Sequence, residues 1–176
     1  IQMEELNPVA HEIYIEVQQV LFKETRMLRE ERWREWLETM VEKDIVYRAI
    51  VSQLRFRKDN RYTGEKDVPS LDENWSGLDR RVAQMESGMQ WTTDPAERVR
   101  HFITNLEVFQ GENPNEYVIY SNCQTVRNRR VYEEMTYCYG RNDVWRRGAD
   151  GKLRLARRDV DVDERFVSGK NHNFPM

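Results

Sequence analysis

The sequence predicts an α+β fold, with N-terminal helices packed on one face of a strongly curved antiparallel sheet. Three observations predict it. Apolar residues recur at helical spacing over the first forty positions. A two-residue alternation takes over from residue 98. Turn signals, not helices, separate the later strands. Helices first and a run of strands afterwards argue against a parallel α/β sheet. An antiparallel sheet of that length curls, and the helices then cover one face.

Each element has its own signal. Asn7-Pro8 reads as an N-cap followed by proline at the first helical position. Val9, Ile13, Val17, Val20, Leu21 and Leu28 continue that helix. Trp33, Trp36, Leu37, Met40 and Val41 form one apolar stripe of a second helix. Asp44 ends it, and residues 45–51 are β-branched and aromatic, as in a strand. Leu54 and Phe56 alternate with Arg55 and Arg57. Residues 59–77 read as a long polar loop with Gly64, Pro69 and Gly77. Leu78, Val82, Met85 and Met89 mark a third short helix. Strands follow at 98–109, 117–126, 132–139 and 143–147, with a turn at 111–115 and a hairpin turn at Asp150-Gly151 before the last strand, which runs from Leu153 to Val162.

The 176 residues are most simply one domain, 1–176, with no internal repeat or low-complexity run. Net charge is -3, which lacks the basic excess of a nucleic-acid-binding module. No apolar run approaches a membrane span. No apolar signal segment opens the sequence. Cys123 and Cys138 form neither a disulfide framework nor a C-x-x-C pair. A reducing cytoplasm is the expected location, with neither membrane nor nucleic acid as partner.

Several ordered motifs resemble one family. Leu28, Trp36-Leu37 and Asp44-Ile45-Val46-Tyr47 come first. Asp94-Pro95, Arg98 and Arg100-His101-Phe102-Ile103-Thr104-Asn105 follow, then Ser121-Asn122 and Arg127-Asn128-Arg129. Gly140-Arg141-Asn142-Asp143-Val144-Trp145-Arg146-Arg147, Ala156-Arg157-Arg158 and Val162-Asp163 complete the set. Together they resemble the small (beta) subunit of bacterial aromatic-ring-hydroxylating dioxygenases. Residues 100–105 and 143–148 look most like the naphthalene dioxygenase type. The tail from Asn171 to Met176 and the 59–77 segment depart from the family's pattern.

The resemblance implies a cone-shaped fold like that of nuclear transport factor two. It implies a non-catalytic, structural chain in a hexamer of three large and three small subunits. The large subunit would carry a Rieske [2Fe-2S] cluster and a mononuclear iron. The holoenzyme would cis-dihydroxylate an aromatic hydrocarbon with dioxygen and electrons from NADH.

The residues themselves are consistent with a chain that holds no metal. A Rieske centre needs two Cys and two His, and neither cysteine has a histidine within several positions. A non-haem iron site needs two His and a carboxylate. His11, His101 and His172 fall on a helix, a strand and the tail, with nothing in the sequence to gather them. No catalytic, metal or cofactor residue is therefore expected here. His101 reads as a hydrogen-bonded structural histidine near an interface. The late arginines interleave with acids, which fits ion pairs across subunits. The expected interface residues are Arg98, Arg100, His101, Arg127, Arg129, Arg141, Trp145, Trp75 and Trp91, with Trp75 and Trp91 in loop-like contexts. Trp33 and Trp36 are expected to pack their helix onto the sheet.

Two other readings use the same residues. One is a stand-alone isomerase, dehydratase or cyclase on the same cone, acting on a small hydrophobic molecule with His101 or an Asp in an apolar pocket. A cone filled with Tyr and Met side chains would count against it. The other is a binding adaptor without any iron-containing partner.

Overall fold

The computed structural model describes residues 7–51, 71–88, 97–129 and 133–163. Helix α1 spans His11–Arg29. It starts later than Asn7-Pro8 suggests, because residues 7–9 join a sheet edge instead. Pro8 bridges Phe109, the Gln110 amide donates to the Asn7 carbonyl at 2.9 Å, and the Val9 amide donates to the Val108 carbonyl at 3.3 Å. A proline is tolerated at an edge, where its missing N–H costs no ladder bond. Glu31 closes α1 in the left-handed region, at φ 59°. The Arg32 amide donates to Met27 and the Glu31 amide to Leu28, a pattern that satisfies the last helical carbonyls.

Helix α2, Trp33–Met40, buries Trp36, Leu37 and Met40. Strand β1, Val41–Val51, begins with no linker. Val41 is thus a strand residue rather than the end of the helical stripe. The polar 42–44 triplet hides this start, since a bulge separates the Val41 and Val46 pairings with the last strand. Strand β2, Leu71–Glu73, pairs antiparallel with β1. Helix α3, Trp75–Glu86, follows at once, and the Asn74 side chain accepts from the Gly77 amide at 3.0 Å. The end of the expected 59–77 loop is therefore a strand and a capped helix, and Trp75 is a helical residue. The alternation at 54–57, the remainder of that loop and Met89 lie outside the described residues.

Four long strands complete the described residues: β3 (Arg98–Gln110), β4 (Glu116–Arg129), β5 (Glu133–Arg147) and β6 (Leu153–Val162). The strands expected at 132–139 and 143–147 are one element, because Gly140 and Asn142 stay in register opposite Asn122 and Tyr120. The hairpin turn before β6 closes through Gly148 and Lys152, with Gly151 at φ 76°.

The sheet order is β2-β1-β6-β5-β4-β3. All neighbours are antiparallel except β1 and β6, so the expected antiparallel sheet is in fact mixed. Bulges in β3, where Asn105 has φ 51°, and between β5 and β6 interrupt the ladders and bend the strands. All three helices share one core with a single face of this sheet. Trp36, Leu37, Ile45, Leu78, Val82, Ile119, Trp145 and Leu155 meet in it. A second cluster of Cys123, Tyr137, Tyr139, Val160 and Val162 extends the same face.

Candidate functional site

Strand alternation places charge inside this fold. On β5 the residues Tyr137, Tyr139, Arg141, Asp143 and Trp145 all point inward and are buried. Arg158 of β6 and Glu24 of α1 meet them, each 0% exposed. Glu24 sits on the apolar stripe of α1, in phase with Val17, Leu21 and Leu28.

The four charges form a belt across the interior. Arg158 Nε and Nη2 grip both oxygens of Asp143 at 2.8 Å, and Nη2 also donates to Glu24 Oε2 at 2.9 Å. Two indoles use the remaining acceptor capacity. Trp36 Nε1 donates to Glu24 Oε1 at 3.0 Å, and Trp145 Nε1 donates to Asp143 Oδ2 at 3.3 Å. Arg141 adds ion pairs to Asp143 at 3.1 Å and to Glu24 at 3.6 Å, without hydrogen-bond alignment. The Arg158 guanidinium lies over the Tyr47 ring, 5.7 Å from its centroid. Two cations thus face two anions, and the belt carries no net charge.

Electrostatics fixes the protonation of these groups. Burial alone would raise the Glu24 carboxyl, but the charges of Arg158 and Arg141, with hydrogen bonds from Arg158 and Trp36, outweigh it and hold the group at about 2. Burial pushes the Tyr47 phenol up to about 12. His101 stands beside the belt on β3. Its Nδ1 is 3.0 Å from Thr125 Oγ1, which is 2.9 Å from the Tyr139 hydroxyl. Burial, then the Arg141 charge, lowers this imidazole to about 4, so it is neutral at pH 7. A base that weak is poorly matched to proton transfer near neutrality. The Glu24 carboxyl is ionised, and both carboxylates are occupied by Arg158. The belt's chemistry is that of a fastener joining α1 and α2 to the sheet.

The expected interface residues divide by the face they occupy. Arg98 and Arg100 are exposed on the outward face of β3. Arg127 is half-buried and pairs with Glu97. Arg141 and Trp145, at 5% and 1% exposure, lie inside the chain rather than on its surface. Their inward phase on β5 requires this. His101 is also inward. Trp75 is half-buried in the first turn of α3, with Lys43 Nζ 3.2 Å from its ring centroid. The Arg129 side chain, Trp91, His172 and the 171–176 tail are outside the described residues. Cys123 is buried and Cys138 exposed, both free. Glu24 was not singled out in the sequence, and Asp143 and Arg158 were named there only within motifs, not as site residues. An acid on an apolar helical stripe was the available signal for Glu24.

The iron sites weighed in the sequence do not fit this interior. Among the described residues no three His, Cys, Asp or Glu side chains are grouped to hold a metal. Glu24 and Asp143 are already committed to Arg158. Tyr47, Tyr117, Tyr137, Tyr139, Met27 and Met40 are buried, the filling that counts against a stand-alone cone enzyme.

Residues 23–169 match the model of the family described as ring hydroxylating beta subunit. The chain is 28% identical over 170 residues to the biphenyl 2,3-dioxygenase subunit beta of Rhodococcus jostii, covering 95% of this chain and 90% of that one. It is 32% identical over 152 residues to the small oxygenase component of the naphthalene 1,2-dioxygenase system of Pseudomonas aeruginosa, covering 86% and 79%. Among solved structures, naphthalene 1,2-dioxygenase with indole bound in its active site aligns at a TM-score of 0.87 and 28% identity, covering 95% of this chain and 87% of that chain. The α+β cone expected from the sequence is the fold found.

Proposed function

We propose, from the premise that this chain belongs to the ring hydroxylating beta subunit family, that it is the structural base on which a large oxygenase subunit works. The chain is the small, non-catalytic subunit of an aromatic-ring-hydroxylating dioxygenase. The finer assignment is a hexamer of three large and three small subunits acting in the cytoplasm on a naphthalene-like hydrocarbon. Both atoms of one dioxygen enter the ring, two electrons originating in NADH and two protons complete the balance, and a cis-dihydrodiol leaves. A Rieske [2Fe-2S] cluster and a mononuclear iron in the large subunit would supply the oxygen chemistry.

The observation that carries this reading is the closed belt. Its acids are spent on Arg158 and Arg141, so the interior supports shape rather than turnover. Likeness to the naphthalene dioxygenase structure supports the substrate assignment. The free thiols suit a reducing compartment.

A tagged pull-down from the native host tests the reading by partner mass and visible absorbance. A larger chain with iron-sulfur absorbance is expected to co-purify. A colourless chain that recovers no larger partner overturns the proposal.

A further inference from the structure

We draw no further inference here: the strongest candidate, the outward ridge of α1 on which Ile15 and Phe22 stand exposed beside Lys23, Arg26 and Arg29, carries nothing because nothing in the structure shows what covers it.

Discussion

Arg158 on β6 and Glu24 on α1 stand 134 residues apart in sequence and meet at 2.9 Å with neither side chain exposed. Breaking such a pair leaves one buried charge without compensation. Glu24→Gln is expected to cost about 3–5 kcal/mol of stability, measured by urea unfolding. An unchanged midpoint would mean that water reaches Arg158.

The same belt makes stability depend on pH. His101 is lowered from 6.5 to about 4 in the folded chain. The unfolded chain therefore holds the extra proton through that window, and stability falls as pH drops from 6.5 toward 4. Glu24 is lowered from 4.5 to about 2, and its contribution is lost as pH falls from 4.5 toward 2. His101→Gln is expected to remove the upper part of this fall, where one proton sets a slope of up to about 1.4 kcal/mol per pH unit. An identical pH profile in the variant would contradict the assignment.

Turnover of the assembled enzyme checks the chemical side of His101. The His101→Gln variant is expected to stay within about tenfold of wild type, because loss of a general base typically costs 10²–10⁴. Collapse of turnover in an intact complex would give the residue a catalytic role.

Trp36 fills the core and donates to Glu24 at 3.0 Å. Trp36→Ala is expected to cost about 3–5 kcal/mol, from the cavity and the unsatisfied acceptor together. A thermal melt superimposable on that of the wild type would refute the placement.

Glu31 offers the opposite sign. It holds φ 59° at the end of α1, a region in which glycine carries no Cβ penalty. Glu31→Gly is expected to gain about 1 kcal/mol, seen as a higher melting temperature.

Much of the fold was legible because period is a local property. The helical stripe of Trp33, Trp36, Leu37 and Met40 and the alternation of β3 both express it directly. The misread elements depend on distant partners. Residues 7–9 leave the helix for an edge of β3 that the local sequence does not reveal. The parallel pairing of β1 with β6 needs a partner more than a hundred positions away, as in Val51 opposite Val162. The site was harder to read, because charge suggests solvent. Arg141 was read as an interface residue, although its phase with Tyr139 and Trp145 points it inward. Position in the alternation was the better guide than residue type.

The parallel contact between β1 and β6 bears on how the protein is made. Synthesis runs from the N-terminus, so α1, α2 and β1 leave the ribosome long before the strand that anchors them. Until β6 appears, Glu24 has no Arg158 and β1 lacks one of its two neighbours. Closing contacts that distant is slow. The N-terminal helices and β1 thus wait, with their apolar stripes uncovered, until β6 has left the ribosome, and their native packing forms after that strand is made rather than as they are synthesised.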